Sequence, residues 1–139
     1  MAVMNINVFS VMLGHGMDVT VVLPDDIDEG EQLKCVWLYH GGSGDNTEWL
    51  YHTPLVDTVE KRHFAAVLPN VDESCFVNMN IGNRYESYVA KELPSIIWNM
   101  FKCISDKRED NYVSGYSNGG YGCLHTVLNF FKGRSVFGR

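Results

Sequence analysis

The sequence predicts an α/β domain in three layers, with a mostly parallel sheet and an antiparallel hairpin at its amino terminus. After the first two β-rich runs, short apolar runs alternate with segments of helical periodicity, which is the order of a parallel sheet covered by helices. One of these runs, Cys35-Val36-Trp37-Leu38-Tyr39, is apolar throughout, as expected of a strand buried on both faces. The chain has 139 residues, 45% hydrophobic and 20% charged, which suits one folded domain over residues 1–139.

The amino-terminal hairpin is predicted from two β-rich runs, residues 3–11 and 17–23. Gly14-His15-Gly16 lies between them and is expected to form the turn, because glycine tolerates the positive φ angles of tight hairpin turns. Pro24 ends the second run, and the acidic segment DDIDEGEQ that follows is expected to be a solvated loop.

The remaining elements follow in order along the chain. We expect strands at 35–39, 64–68 and 112–115, and helices at 48–61, 85–101 and 119–131. In the second of these helices Tyr85, Val89 and Leu93 recur at four-residue spacing and form one apolar stripe for packing on a sheet. Pro94 lacks a backbone N–H, so it should kink that helix or divide it into two segments.

Composition excludes several classes of function. With 11 Lys and Arg against 17 Asp and Glu, the net charge of −6 argues against a nucleic-acid-binding surface. No run approaches the ~20 apolar residues of a membrane span, and the amino terminus lacks the basic region of a secretory signal. The four cysteines are widely spaced, with no pairing typical of a zinc site, so we expect reduced thiols in a cytoplasmic protein.

The strongest chemical signal is Gly115-Tyr116-Ser117-Asn118-Gly119, a G-x-S-x-G motif between a predicted strand and a predicted helix. A serine at that sharp turn is held in a strained conformation with its hydroxyl exposed above the sheet, and the flanking glycines let strand and helix approach. Ser117 is therefore the predicted nucleophile. The alternative is a glycine-rich turn in which Ser117 only caps the helix.

A second glycine-rich segment, His40-Gly41-Gly42-Ser43-Gly44, follows the buried strand and should lie at the same sheet edge as Ser117. Serine acyl transfer needs two backbone N–H donors for the developing oxyanion, one of them from the residue after the nucleophile. We predict the N–H groups of Gly42 and Asn118 as these donors, with Gly41 or Ser43 as alternatives to Gly42. His40 is expected to orient the loop rather than to act as a base.

These segments together resemble a known family. The runs VVLP, LYHGGSGDNTEW, FVNMN, YESYVAKELPSII and SGYSNGGYG are similar to the esterase branch of the α/β-hydrolase fold, which includes tributyrin-type esterases and S-formylglutathione hydrolases. The resemblance implies a serine carboxylesterase for short acyl esters that uses no metal or cofactor, with Ser117 as nucleophile and Gly42 and Asn118 in the oxyanion hole. It also implies that residues 76–80 lie near an acyl pocket. Where Asn118 stands the family more often has Met, but the backbone N–H is the group required.

The end of the sequence departs from this pattern. In this fold an Asp or Glu and then a His follow the nucleophile along the chain. Only 22 residues follow Ser117; they contain no Asp or Glu, and their one histidine, His125, lies about 12 Å along the predicted helix. A hydroxyl–imidazole hydrogen bond needs about 3 Å, so His125 should not be the base. We therefore expect a partial α/β-hydrolase fold whose later strands are missing and which is inactive alone.

Three interpretations of the short chain stay open at this point. It is a fragment, a genuine short protein whose exposed sheet edge is covered by a second copy or a partner, or an enzyme that uses an upstream base. His15, His52 and His63 are the candidates for that base. A non-catalytic binding or assembly protein that keeps the hydrolase scaffold is the alternative function.

Overall fold

The protein forms a mixed sheet of five strands in the order β1-β2-β4-β3-β5. The computed structural model describes residues 1–131, with the side chains of residues 130 and 131 left out. The strands are β1 (Ala2–Ser10), β2 (His15–Leu23), β3 (Cys35–Tyr39), β4 (Ala65–Pro69) and β5 (Asn111–Gly115). The helices are α1 (Glu48–His52), α2 (Leu55–Arg62), α3 (Tyr85–Ser87), α4 (Leu93–Met100) and α5 (Asn118–Phe131).

The strand directions agree with the prediction of a mostly parallel set joined to an antiparallel hairpin. β3 pairs with both β4 and β5 in parallel, whereas β2 pairs antiparallel with β1 and β4. In the β3–β5 ladder Tyr39 lies opposite Gly115. The two glycine-rich segments therefore leave the sheet side by side at the carboxyl ends of β3 and β5, as the sequence predicted.

Helices cover both faces of the sheet, which gives three layers. Alternate residues of β3 point to opposite faces: Trp37 belongs to the larger apolar cluster and Leu38 to the smaller one. α4 contributes Leu93 to the larger cluster, and α2 contributes Val59 to the smaller one. This alternation explains why β3 is apolar at every position.

The turn of the amino-terminal hairpin lies earlier than predicted. Ser10 pairs with His15, so the turn spans residues 11–14 and His15 and Gly16 belong to β2. Gly14 has φ 76°, which is the positive value that the turn requires. A distant residue fixes the position of this turn, because the Glu92 carboxylate accepts hydrogen bonds from the Val11 N–H at 2.6 Å and the Ser10 hydroxyl at 2.5 Å.

Two predicted helices are divided in the structure. The helix expected at 48–61 is α1 and α2, separated at Thr53 and Pro54, because a residue before proline disfavours helical φ/ψ. The helix expected at 85–101 is interrupted as predicted, since a π-helical turn (Tyr88–Glu92) joins α3 to α4. Pro94 is the second residue of α4 and follows this π-helical turn directly, so the break in regular helix lies just before the residue that lacks an N–H.

β5 is an edge strand, since within the described residues it pairs with β3 alone. Beside it, Tyr112 of β5 and Leu124 and Leu128 of α5 are 52%, 65% and 61% exposed. The side chains of Phe130 and Phe131, and the tail from residue 132, lie outside the described residues.

Candidate active site

Ser117 occupies a sharp turn between β5, which ends at Gly115, and α5, which begins at Asn118. Its φ angle is 53°, a left-handed value that costs an L-residue about 1–2 kcal/mol. The residue is exposed to solvent at the edge where β3 and β5 end. This is the strained, raised serine that the motif predicts.

Gly115 and Gly119 are required by close backbone contacts. A Cβ on Gly115 would lie 2.6 Å from the carbonyl carbon of Gly119 and 2.9 Å from the carbonyl oxygen of Tyr39. A Cβ on Gly119 would lie 2.6 Å from the carbonyl oxygen of His40. The start of α5 thus packs directly on the end of β3, so a side chain at either glycine of the motif would clash with the backbone.

The predicted oxyanion donors, Gly42 and Asn118, are brought together. A Cβ on Gly42 would lie 2.8 Å from the side-chain nitrogen of Asn118, so the loop after β3 touches the first residue of α5. Within residues 1–131, neither backbone N–H donates to another group. The alternative donor Gly41 is engaged, because its N–H donates to Glu48 Oε2 at 2.8 Å.

His40 is buried under this loop and has both ring nitrogens occupied. Its Nε2 accepts from the Val71 N–H at 3.1 Å, so the proton is on Nδ1, which donates to the Gly41 carbonyl at 2.7 Å. The side chain therefore ties the loop to the chain after β4. This agrees with the predicted orienting role and leaves no nitrogen to accept a proton from Ser117.

His125 also has a partner away from Ser117. Its Nδ1 lies 2.9 Å from Oε1 of Glu86, a carboxylate that is only 6% exposed. The Asn129 amide donates to the same oxygen at 2.9 Å. This cluster joins α5 to α3, and it agrees with the prediction that His125 packs rather than acts as the base.

Glu48, the first residue of α1, belongs to the site and was missed by sequence reasoning. Besides accepting the Gly41 N–H, its carboxylate interacts with the Tyr116 hydroxyl, and this interaction raises the pKa of Tyr116. Glu48 and Tyr116 also line a cavity of about 270 Å³ with Trp49, His52 and Thr53. An acidic residue after a glycine loop has no spacing rule that would have identified it.

The segment at residues 76–80 is partly core. Phe76 is buried and stacks on Tyr39 with a centroid separation of 4.4 Å, and a Cβ on Gly122 would lie 2.5 Å from its Cγ. Asn78 is held by Ser87, whose N–H donates to its side-chain oxygen at 3.0 Å. Met79 is 47% exposed, so the segment runs from the core to the surface.

Among residues 1–131, no three His, Cys, Asp or Glu side chains are grouped so that they could hold a metal ion. In the same part of the chain, no helix is both long and apolar enough to cross a membrane. All four cysteines are free thiols. Burial of Cys123 raises its pKa to about 12.

A mixed sheet covered by helices, with a strained serine between a strand end and a helix start, is the arrangement of the α/β-hydrolase fold. Residues 10–133 match the model of the Esterase family, described as "Putative esterase". The chain belongs to this family, as the resemblance predicted.

Similar proteins support the assignment. An acetyl esterase of Caldicellulosiruptor saccharolyticus is 30% identical over 142 residues, covering 95% of this chain and 53% of that protein. The structure of the fluorophosphonate-binding serine hydrolase F of Staphylococcus aureus, with substrate bound, has a TM-score of 0.86 and 32% identity, covering 92% of this chain and 52% of the other. The S-formylglutathione hydrolase of the same organism has a TM-score of 0.81, 32% identity and the same coverages. The chain thus spans about half the length of these relatives.

Proposed function

We propose that this chain carries the nucleophile and the oxyanion hole of a serine carboxylesterase for short acyl esters. One observation carries the proposal: Ser117, exposed at φ 53°, lies at the sheet edge where the loop of Gly42 touches the first residue of α5, Asn118. The similarity to an acetyl esterase and an S-formylglutathione hydrolase supports a small acyl group. The free cysteines are consistent with a cytoplasmic location.

In the proposed reaction the Ser117 hydroxyl oxygen attacks the carbonyl carbon of the ester, while a base takes the hydroxyl proton. The carbonyl oxygen becomes an oxyanion, which the N–H groups of Gly42 and Asn118 stabilise. The C–O bond to the alcohol then breaks, the alcohol leaves with a proton, and Ser117 keeps the acyl group as an ester. Water hydrolyses that ester and restores the serine.

The missing component is the base. His40 and His125 both hydrogen-bond to other groups, and no Asp or Glu follows Ser117. His63 lies just before β4 and hydrogen-bonds Glu31 at 2.7 Å. It is therefore at the amino-terminal ends of the parallel strands, whereas Ser117 is at their carboxyl ends. We therefore propose that the chain alone has little or no turnover.

Two other upstream histidines differ in their position relative to Ser117. His15 begins β2, which is three strands from β5, or about 14 Å at the usual strand spacing. His52 lines the cavity that includes Tyr116, the residue before Ser117. Of the open alternatives for an upstream base, His52 is the one that an experiment should address.

We also propose that the edge of β5 and the exposed face of α5 pair with a further polypeptide. An edge strand beside exposed Tyr112, Leu124 and Leu128 is the kind of surface that pairs with another chain. The covering polypeptide is the rest of a longer protein, a second copy or a separate partner. Reading the coding sequence beyond Arg139 for an in-frame Asp and His would test the first of these.

A non-catalytic binding or assembly protein on the same scaffold is the second candidate. The observation that favours it is the engagement of His125 by Glu86, which leaves that histidine with a packing role. Such a protein would keep the turn at Ser117 for packing alone.

Hydrolysis of p-nitrophenyl acetate and labelling by a fluorophosphonate probe test the proposal, with Ser117→Ala as the matched control. We expect near-background hydrolysis without a burst, and slow labelling that Ser117→Ala abolishes. An oxyanion hole without a complete triad retains about 10³–10⁴-fold catalysis over water. Robust turnover lost in Ser117→Ala would contradict the missing base, and its further loss in His52→Ala would identify an upstream one. Strong Ser117-dependent labelling would argue against a pure scaffold.

A further inference from the structure

The Glu48 carboxylate lies against the loop that carries the predicted oxyanion donor Gly42. Its Oε2 accepts the Gly41 N–H at 2.8 Å. A Cβ on Gly44 would lie 2.7 Å from Glu48 Cδ and 3.0 Å from Oε1, so the carboxylate packs on the α-carbon of Gly44. Glu48 thus contacts the loop on both sides of Gly42.

The same carboxylate contacts the segment that carries Ser117. It interacts with the Tyr116 hydroxyl, which raises the pKa of Tyr116, and the two side chains line one cavity. The Tyr116 ring lies over the loop, because a Cβ on Gly41 would lie 2.9 Å from Cε2 of that ring. Trp49 packs edge-on against the ring at a centroid separation of 5.6 Å.

These contacts link the two predicted donors. Gly41 immediately precedes Gly42, and Tyr116 precedes Asn118 by two residues. Oxyanion donors act only when they lie about 2.7–3.1 Å from the oxyanion, so their relative position has to be fixed. Glu48 is a single side chain that hydrogen-bonds the first segment and interacts with the second.

We propose that Glu48 is a positioning residue of the oxyanion hole. Through its contacts with Gly41 and Tyr116, Glu48 holds the N–H groups of Gly42 and Asn118 at a fixed position relative to each other. The inference rests on the proposed function, but it adds a residue that the G-x-S-x-G motif and the glycine loop do not contain. Glu48 acts through other residues, so it exchanges no proton with the ester.

Two substitutions of Glu48 distinguish its positioning role from a general contribution to the stability of the fold. Glu48→Ala removes the carboxylate that interacts with both segments, whereas Glu48→Gln keeps a side-chain oxygen that can accept the Gly41 N–H. Tyr116→Phe keeps the ring and removes only the O–H, and Glu29→Ala removes a matched charge from an exposed site. Urea unfolding shows which variants remain folded.

The first readout is the amide spectrum of the full ¹⁵N-labelled chain. We expect Glu48→Ala to abolish the exchange protection of the Gly41 N–H and to shift the Gly42 and Asn118 resonances. Glu48→Gln should restore the protection, Tyr116→Phe should shift Asn118 more than Gly41, and Glu29→Ala should change none of them. Unchanged Gly42 and Asn118 resonances in a folded Glu48→Ala chain would overturn the proposal.

The second readout is the rate at which a fluorophosphonate labels Ser117. A misplacement of about 1 Å in a reacting geometry costs up to about 100-fold, so we expect labelling to slow by at least about 10-fold in Glu48→Ala. Glu48→Gln should recover to within about threefold. If the labelling rate falls equally in both variants while the Gly41 N–H stays protected in Glu48→Gln, the positioning role is overturned and the charge of Glu48 is what matters. If the unaltered chain is not labelled, the proposed function fails, and the amide spectrum alone then tests whether Glu48 positions the two N–H groups.

Discussion

The α-carbon of Gly115 is in contact with the backbone of Gly119: a Cβ on Gly115 would lie 2.6 Å from the carbonyl carbon of Gly119 and 2.7 Å from its oxygen. The last residue of β5 therefore packs on the first turn of α5 without an intervening side chain. This contact sets how sharply the chain turns at Ser117, and it provides a direct test of the strand–helix junction.

Gly115→Ala should destabilise the protein by about 2 kcal/mol or more, because overpacking against backbone cannot be relieved by a rotamer change. Gly120→Ala is the matched control, since its Cβ would lie 3.4 Å from the Gly115 oxygen and alanine favours the helix. We expect that variant to lie within about 1 kcal/mol of the parent, on the stabilising side. Urea denaturation measures both changes, and equal effects would mean that the junction is not tightly packed.

The strain at Ser117 predicts a stability difference between two inactive variants. Ser117→Gly removes the left-handed strain of about 1–2 kcal/mol and loses about 0.4–1 kcal/mol through the greater entropy of the unfolded chain. Ser117→Ala keeps a Cβ and therefore keeps the strain. We expect Ser117→Gly to be the more stable by about 0.5–1 kcal/mol in thermal unfolding. A Ser117→Ala variant that equals or exceeds it would indicate that the φ of 53° costs nothing.

Local sequence signals were sufficient for the strands and for part of the site. The continuous apolar run of β3 and the strand–Ser–helix order around Ser117 are local, so their placement follows from alternation and turn chemistry. The division between α1 and α2 was also encoded locally, because Thr53 precedes Pro54 and is disfavoured in a helix.

Features that depend on distant residues could not be predicted in the same way. The hairpin turn is fixed by Glu92, which lies far along the chain from Ser10 and Val11. Glu48 reaches Gly41 and Tyr116 only because α1 folds back over the loop. Neither contact has a spacing rule, since each depends on how separate elements pack.

The buried position of His40 predicts a large loss of stability on its removal. His40→Ala would leave the Val71 N–H without a partner in the interior, at about 1–3 kcal/mol, and would leave the Gly41 carbonyl only its bond from the Gly44 N–H at 3.2 Å. His15 is exposed, so His15→Ala should change the free energy of unfolding by no more than about 0.5 kcal/mol. His40→Gln, which can replace one of the two bonds, should fall between them. If denaturation shows His40→Ala to be as mild as His15→Ala, the loop is held by other contacts.

The last prediction concerns acid stability at the end of the same loop. Hydrogen bonds from the Thr47 hydroxyl at 2.6 Å and the Thr47 N–H at 2.7 Å hold the pKa of Asp45 below its ordinary value of 3.8. A pKa that is lower in the folded state means that Asp45 stabilises the fold above pH 3.8, and that this contribution is lost as the pH falls through the folded-state pKa. Asp45→Asn should therefore be less stable than the parent by about 0.5 kcal/mol at pH 7, after allowance for solvent screening, and the difference should shrink as the pH falls below 3.8 and the Asp45 carboxylate is protonated. Urea denaturation across this range measures it, and Thr47→Val should roughly halve it by removing the hydroxyl donor. A difference that stays constant from neutral to acid pH would show that the Asp45 charge is not what stabilises the loop.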